Sequence, residues 1–315
     1  MIVTVTANPS VDRTIELTGE LRRGQVLRAA GSQSQPGGKG INVARAVAAA
    51  ELDVLALLPA ADGDPLLNQL DQTGLPYRTI PVSAPVRTNI TVVEPDGTTT
   101  KINEPGAALT DAAVDALTDQ VLAAAQDAGW LALCGSVPPG LPLDWYGRII
   151  GRLTGSGVRT AVDTSGSPLA AAAEAGAALL KPNAEELAWL TGADGAAMEA
   201  QAAAGDPSAA VTAAAALAAR TGGAVLTTLG GAGALLTTPE GTWQATAPRI
   251  QVRSTVGAGD SSLAGYLIAH SRGAGPEGLL ATAVAYGSAA AALPGTTPPT
   301  PGQTDPSAVT VRRLS

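Results

Sequence analysis

The chain has 315 residues but only one cysteine, Cys134, and one histidine, His270. A single cysteine excludes an intrachain disulfide and leaves no thiolate metal cluster. A single histidine argues in the same way against a histidine-based catalytic triad or a multi-histidine metal site. Because Cys134 ends an apolar stretch, 131–134, we expect a buried and inert thiol there.

Long apolar runs and an excess of positive charge are also missing. No stretch reaches the roughly 18–20 apolar residues that span a bilayer, and the start, 1–5, has no basic leader region. The net charge of −8 argues against a nucleic-acid-binding surface. With 45% hydrophobic and 15% charged residues, the composition is that of a globular protein. We therefore predict a cytoplasmic protein with neither a membrane nor a nucleic acid as its partner.

Apolar strand patterns alternate with helical patterns along most of the chain. The predicted strands are Ile2–Val5, Val54–Leu58, Leu131–Leu133, Thr160–Val162, Leu179–Leu180 and Ala224–Thr228. The predicted helices are Lys39–Glu51, Asp111–Asp127, Leu143–Leu153, Ser167–Ala175 and Ser208–Arg220. This alternation predicts an α/β fold: one domain over residues 1–315 with a mainly parallel central sheet and helices on both faces.

Several segments depart from this alternation. Two predicted hairpins, Thr14–Leu17 with Val26–Ala29 and Thr88–Glu94 with Thr98–Asn103, indicate a small β unit from about 12–34 and 87–105. Near the end, three segments predict an antiparallel meander: Ala234–Thr238, Gly241–Ala247 and Ile250–Val252. The Ala- and Gly-rich segment Ala193–Pro207 is predicted to be a surface loop.

The most informative stretch is Thr255-Val-Gly-Ala-Gly-Asp260-Ser-Ser, which places a carboxylate directly behind a glycine turn. Alternating residues before it, 249–254, predict a strand, and a helical pattern follows it. Gly257 and Gly259 let backbone N–H groups converge on an anion, and the helix dipole adds to that field. An aspartate suits such a site if it accepts a proton from an attacking hydroxyl while the amides hold the growing charge. This predicts kinase chemistry; the simpler alternative is a turn that starts a helix.

A second glycine turn opens another helix at Gln35-Pro-Gly-Gly-Lys39-Gly-Ile-Asn42. It is not a Walker A loop, because the preceding glycine has the wrong spacing and Gly40 stands where serine or threonine is required. Neither glycine turn fits the dinucleotide pattern Gly-x-Gly-x-x-Gly, which disfavours a Rossmann dehydrogenase.

Together with four further motifs in order, these two turns resemble the ribokinase-like (phosphofructokinase-B) sugar kinase family. The other motifs are Asn8-Pro-Ser-Val-Asp12, Gly135-Ser136-Val-Pro-Pro-Gly140, Lys181-Pro-Asn183-Ala-Glu-Glu186 and Thr228-Leu-Gly230. The resemblance covers nearly the whole chain. Arg87-Thr-Asn-Ile-Thr and Lys101-Ile-Asn-Glu-Pro-Gly106 resemble the phosphosugar-kinase branch, and in this family the small β unit forms a lid over the sugar.

The resemblance implies roles for the motif residues. Asp260 is the expected base, and the amides of Gly257, Ala258 and Gly259 are the expected anion hole. The expected substrate-binding residues are Asp12, Arg28, Gly38, Lys39, Asn42, Arg87, Lys101 and Ser136. The expected nucleotide-binding residues are Lys181, Asn183, Thr228, Gly230, Gly231 and Gly233. Glu186 is expected to hold Mg²⁺ through water.

Each role has a plainer alternative. Asp12 could cap a turn, and Glu185 and Glu186 could serve only to complement the charge at the start of a helix. Taken singly, each cation could be a solvated surface charge. The resemblance nevertheless implies ATP- and Mg²⁺-dependent phosphorylation of a ketohexose monophosphate, with fructose 1-phosphate as the expected substrate.

Three alternatives stay open at this stage. Tagatose 6-phosphate could be the substrate instead, and a non-catalytic sugar-phosphate sensor could use the same fold. The chain could also form a homodimer through the small β unit, because an apolar face there would need a partner.

Overall fold

The structure is a computed structural model that describes residues 1–314. Its strands are β1 (Ile2–Thr6), β2 (Ser10–Leu17), β3 (Ala29–Gly37), β4 (Val54–Ala60), β5 (Tyr77–Pro81), β6 (Arg87–Val93), β7 (Thr99–Asn103), β8 (Trp130–Cys134), β9 (Arg159–Asp163), β10 (Leu179–Leu180), β11 (Ala224–Thr228), β12 (Ala234–Thr238), β13 (Gly241–Thr246) and β14 (Thr310–Arg313). Its α-helices are α1 (Lys39–Ala49), α2 (Pro65–Thr73), α3 (Asp111–Ala125), α4 (Trp145–Leu153), α5 (Gly166–Glu174), α6 (Ala184–Thr191), α7 (Gly195–Ala203), α8 (Ser208–Thr221), α9 (Ala258–Ser271) and α10 (Pro276–Ala291).

The large sheet has ten strands in the order β14-β13-β12-β11-β10-β9-β8-β1-β4-β5. All pairings from β5 to β11 are parallel, and the remaining three strands continue the sheet in antiparallel fashion. The chain runs from β1 to one side of the sheet and later returns to β8 on the other side. A crevice therefore opens between the carboxyl ends of β1 and β8, where ligands bind in open α/β sheets.

Helices cover both faces of this sheet, as the alternation of β8 illustrates. Leu131 and Leu133 pack into the core on one face, whereas Ala132 and Cys134 pack into the core on the other. Successive side chains of a strand point to opposite faces, so a strand buried on both faces is apolar throughout. The predicted α/β class and the mainly parallel sheet are thus confirmed. Cys134 is buried, and burial raises the pKa of its thiol.

A separate four-stranded sheet, here called the small sheet, has the order β3-β2-β6-β7. Strands β2 and β6 are parallel, and the two outer pairings are antiparallel. The hairpin of β6 and β7 agrees with its prediction. The first hairpin was placed wrongly, because β2 pairs with 29–37 rather than with 26–29, and a register shift interrupts the pairing at Glu16/Leu17.

Three local predictions were wrong. The segment 193–207 contains helix α7, whose start is capped by Asp194 at 3.0 Å from the Ala197 amide; its alanines favour helix more than the glycines oppose it. The segments 249–254 and 250–252 form no strand. The third strand of the antiparallel meander is instead β14, which pairs with β13. A local sequence pattern cannot show that the distant strand β14 pairs with the open edge of β13.

None of the helices within residues 1–314 is both long and apolar enough to cross a membrane.

Candidate active site

A cavity of about 1210 Å³ lies at the carboxyl ends of the parallel strands. It is bounded by the small sheet on one side and by the starts of α1, α6 and α9 on the other. The predicted site residues that line it are Asp12, Gly38, Lys39, Asn42, Arg87, Lys101, Ser136, Lys181, Asn183, Glu186, Thr228, Gly230, Gly231, Gly233, Gly257, Ala258, Gly259 and Asp260. Arg28 is different: it is exposed and lies outside the lining of this cavity.

The segment Gly257–Asp260 begins helix α9 after a sharp turn. Gly257 is the N-cap residue and has a φ of 80°, a left-handed conformation that glycine adopts without strain. The amides of the first helical turn have no partner within the helix, so they can bind an anion beside the positive end of the helix dipole. Asp260 lies in this first turn and lines the cavity. The motif therefore places a carboxylate and an anion site together, as the sequence predicts.

Asp260 is only 6% exposed, and its carboxylate accepts a hydrogen bond of 2.8 Å from Nδ2 of Asn42. Burial raises the pKa of Asp260 to about 6, although the charge of Lys39 opposes the rise. The carboxylate is therefore ionised at neutral pH yet basic enough to accept a proton. Asn42 Oδ1 is also buried and has no hydrogen-bond partner among residues 1–314. Asn42 also lines the cavity beside the base.

An aspartate that sequence reasoning missed lies beside this group. Asp163 ends β9 and is fully buried, and its two carboxylate oxygens lie 2.6 Å from Lys39 Nζ and 3.1 Å from Lys181 Nζ. The two lysines hold the pKa of Asp163 below its ordinary value despite its burial. The signal was present in the sequence, because an aspartate directly after the predicted strand Thr160–Val162 falls at the carboxyl edge of the sheet.

A second group of polar side chains lies where the small sheet meets β1. The Arg87 guanidinium donates to the carbonyl oxygens of Glu104, at 2.8 Å, and Asn8, at 3.2 Å. Asn8 Nδ2 donates to Ser136 Oγ at 3.1 Å. Lys101 projects from β7 and lines the same cavity. This end therefore combines cations with hydroxyl and amide donors, the groups that bind a phosphate.

Asp12 is held between strands of the small sheet at the same end. Its Oδ1 accepts hydrogen bonds from Ser10 Oγ at 2.7 Å and from Asn89 Nδ2 at 3.0 Å. These bonds fix one oxygen of the carboxylate. Asp12 also lines the cavity, where a sugar hydroxyl could donate to its carboxylate.

The far end of the cavity is formed by helix starts and glycine turns. Asn183 and Glu186 form a capping box at the start of α6, with reciprocal bonds of 2.8 and 2.9 Å. The pair therefore caps the start of α6, and both residues also line the cavity. At Gly231 an added Cβ would meet no atom within 4 Å. The backbone there is open to a close approach by a ligand.

A sequence model of the pfkB family of carbohydrate kinases matches residues 5–303. The chain belongs to this family. Its members are carbohydrate kinases, so the chain is a phosphotransferase.

Individual members of the pfkB family are similar to this chain over nearly their whole length. The chain is 37% identical to the 1-phosphofructokinase of Haloferax volcanii over 95% of this chain and 93% of that one. It is 34% identical to the ATP-dependent 6-phosphofructokinase isozyme 2 of Escherichia coli, with 94% of each chain covered. The crystal structure of phosphofructokinase-2 from Escherichia coli in complex with substrates and products superposes with a TM-score of 0.87, at 31% identity and 96% coverage of both chains.

Proposed function

We propose that this protein phosphorylates fructose 1-phosphate with ATP to give fructose 1,6-bisphosphate. The observation that carries the proposal is the division of the cavity: a buried base and an anion site at one end, and Arg87 with Lys101 at the other. Such a division suits an acceptor that carries a hydroxyl at one end and a phosphate at the other. The names of the relatives from Haloferax volcanii and Xanthomonas campestris, both called 1-phosphofructokinase, support this substrate.

In the proposed reaction each group of these residues has its own task. Arg87, Lys101 and Ser136 bind the phosphate of the sugar, while Asp12 and Asn42 accept hydrogen bonds from its hydroxyls. Asp260 takes the proton of the acceptor hydroxyl as its oxygen attacks the γ-phosphorus of ATP, and the bond to the departing ADP oxygen breaks. The amides of the first turn of α9 stabilise the charge on the transferred phosphoryl group.

ATP and Mg²⁺ are proposed as co-substrate and cofactor. The glycine turns at 228–233 let a nucleotide approach the backbone, with Lys181 and Asn183 nearby. Within residues 1–314 no group of three or more Asp, Glu, His or Cys side chains is arranged so that it could hold a metal ion. A lone carboxylate fits Mg²⁺, because this ion keeps several waters and needs few protein ligands. Glu186 would hold it, and the bound ion would neutralise charge on the nucleotide phosphates.

A homodimer through the small sheet and a cytoplasmic location belong to the same proposal. Leu21, Val26 and Ile102 are large apolar side chains exposed on or beside this sheet. The Escherichia coli relative has a tetrameric inhibited form, so assembly occurs within the family. Both proposed substrates are metabolites of the cytoplasm. Size-exclusion chromatography with light scattering tests the dimer, and Val26→Asp is expected to shift it towards monomer.

The experiment for the function is an ADP-release assay with a panel of sugar monophosphates. We expect kcat/KM for fructose 1-phosphate to exceed that for tagatose 6-phosphate and fructose 6-phosphate by at least about 10-fold, which needs only ~1.4 kcal/mol of differential transition-state binding. Fructose 6-phosphate is the second candidate, because the Escherichia coli relative is named a 6-phosphofructokinase. A preference for either competitor would change the substrate and leave the kinase assignment intact. A protein that binds a sugar phosphate and releases no ADP would be a sensor.

A further inference from the structure

Asp163 has no assigned role in the proposed phosphoryl transfer, although it is more deeply buried than Asp260. Its backbone is fixed on both sides: its carbonyl oxygen accepts from the Gly135 amide at 2.8 Å, and Lys181 N donates to the Val162 oxygen at 3.0 Å. Burying a charge with its partners is seldom a net gain in stability. A fully buried carboxylate between two lysines therefore suggests a role in placing those lysines.

The chain has only three lysines, Lys39, Lys101 and Lys181, and all three line the cavity. Lys181 is 3% exposed, and its Nζ lies 3.2 Å from where a Cβ on Gly259 would be, beside the first turn of α9. Lys39 is 38% exposed at its side chain, so it can contact a ligand while Asp163 holds it. Asp163 thus directs two cations towards the start of α9. This end of the cavity, where phosphoryl transfer is proposed to occur, is called the transfer end.

The carboxylates around each cation separate the two ends of the site. Burial alone would lower the pKa of Lys39, but Asp163, Asp260 and Glu186 together raise it well above its ordinary value. The carboxylates that act on Arg87 are different ones, Asp12 and Glu104. Lys39 therefore interacts with Asp260 and Glu186 at the transfer end. Arg87 interacts with carboxylates on or beside the small sheet.

We propose that Asp163 is a positioning residue that holds Lys39 and Lys181 as a pair of cations beside the start of α9. In this arrangement Lys39 faces the phosphoryl group in transfer, not the phosphate already on the sugar. The proposal rests on the proposed kinase function. It changes the role that the sequence predicts for Lys39, from binding the sugar phosphate to stabilising the transition state.

The charges balance in this arrangement. Two lysines and Asp163 carry a net charge of +1 next to the −1 of Asp260. When Asp260 accepts the hydroxyl proton it becomes neutral, and the positive charge then faces the negative phosphoryl oxygens. Stabilisation that appears only as charge develops raises kcat rather than lowering KM.

The test compares Lys39→Met with its matched control Lys101→Met, the same substitution at the other end of the cavity. Initial rates are measured with fructose 1-phosphate at saturating ATP. Lys39→Met is expected to lower kcat by at least about 100-fold with KM for the sugar phosphate changed less than about threefold, as for loss of a transition-state contact. Lys101→Met is expected to raise KM by at least about 10-fold with a smaller change in kcat.

Asp163→Asn tests the positioning itself, through the pH profile of kcat/KM. The charge of Asp163 raises the pKa of Asp260, and the charge of Lys39 lowers it. The acidic limb of the profile is therefore expected to move to lower pH in Asp163→Asn and to higher pH in Lys39→Met, each by at least about half a pH unit. Titration of the sugar phosphate is common to all variants and cannot produce opposite shifts. Asp163→Asn is also expected to lower kcat by about 10-fold or more.

Wild-type turnover reports on the proposed function, and the variants report on Asp163 and Lys39. If the wild type phosphorylates no sugar phosphate, the proposed kinase function is wrong, and the proposed role of Asp163 is then wrong as well. If the wild type is active and Lys39→Met raises KM while leaving kcat unchanged, Lys39 binds the sugar phosphate and the proposal is overturned. Shifts of the acidic limb in the same direction would also overturn it.

If Asp163→Asn is recovered unfolded by circular dichroism, Asp163→Glu replaces it. The glutamate keeps the charge but moves the carboxylate by one methylene. It is expected to lower kcat without moving the acidic limb to lower pH. Unchanged kcat in that variant would mean that the position of the carboxylate is unimportant.

Discussion

Asp260→Asn separates the catalytic task of the buried base from its effect on stability. The asparagine keeps the size of the side chain, and its oxygen can still accept the hydrogen bond from Asn42. It cannot accept a proton, so kcat is expected to fall by at least about 100-fold, the usual scale for a general base. The same substitution removes a buried negative charge. We therefore expect the inactive variant to be the more stable protein at neutral pH.

The size of this stabilisation follows from the pKa of Asp260. Burial raises it from 3.8 to about 6 in the folded protein, a rise that corresponds to roughly 3 kcal/mol. Because the folded pKa is the higher one, this stability is fully present below about pH 3.8 and is lost as the pH rises through about 6. From pH 5 to pH 8 the wild type thus loses roughly 1–2 kcal/mol through this carboxyl that the asparagine variant keeps.

Urea unfolding at pH 5 and pH 8, without ligands, measures the effect. The free energy of unfolding of Asp260→Asn minus that of the wild type should increase by roughly 1–2 kcal/mol between the two pH values. The matched control is Asp62→Asn, the same substitution at an exposed aspartate, and its effect on stability should change less between the two pH values than that of Asp260→Asn. The charged neighbours Asp163 and Lys39 have pKa values that are shifted away from this pH range, and groups distant from Asp260 titrate alike in both proteins.

Two results would refute the reasoning. A difference in stability that does not change with pH would mean that Asp260 does not carry a raised pKa. Near-wild-type turnover in the purified variant would mean that another group accepts the hydroxyl proton.

Three further predictions concern the same cavity. In the wild type, kcat/KM should fall below about pH 6, because Asp260, whose pKa is raised to about 6, must be ionised to act as the base. Arg87→Met should raise KM for the sugar phosphate by roughly 10–100-fold with little change in kcat, since hydrogen bonds to charged groups are worth about 1.5–3 kcal/mol. Gly40→Ala should lower the free energy of unfolding by about 1–3 kcal/mol, because its Cβ would lie 2.7 Å from the Val5 carbonyl oxygen.

Each of these has a clear opposite result. A flat pH profile down to pH 5 would contradict the raised pKa of the base. An Arg87→Met variant with low kcat and normal KM would place that guanidinium at the transfer end. Unchanged urea unfolding of Gly40→Ala would mean that α1 can move away from β1, and Gly151→Ala, where an added Cβ meets no atom within 4 Å, is the control.

Local patterns were enough to predict much of the site. Gly257–Asp260 and Gly38–Asn42 are short segments in which turn and helix start are set by neighbouring residues. The turns and the polar side chains of these two segments could therefore be predicted from the sequence alone. The same holds for strands such as β8, which are apolar because both faces are buried. Composition gave a wrong prediction for α7, where the helix propensity of alanine competes with that of glycine.

Contacts between distant parts of the chain had to come from the structure. Nothing in the local sequence indicates that β14 completes the meander, or that β2 continues its pairing to Gly37. The placement of Arg28 outside the cavity depends on the path of the small sheet, which has long-range pairings. The register of such strands is set by which side chains the whole fold buries.

The sequence by itself determined the class of fold, the family and the residues at the two glycine turns, because these depend on periodicity and on backbone conformations encoded locally. Tertiary structure decided which charged side chains of the site lie in contact with one another. Asp163 is 124 residues from Lys39 and 18 residues from Lys181 along the chain. Only the pairing of β9 with β10 and the packing of α1 on the sheet bring the three side chains together. The raised pKa of Asp260 likewise arises from burial and from neighbours on other elements, quantities that exist only once the chain is folded.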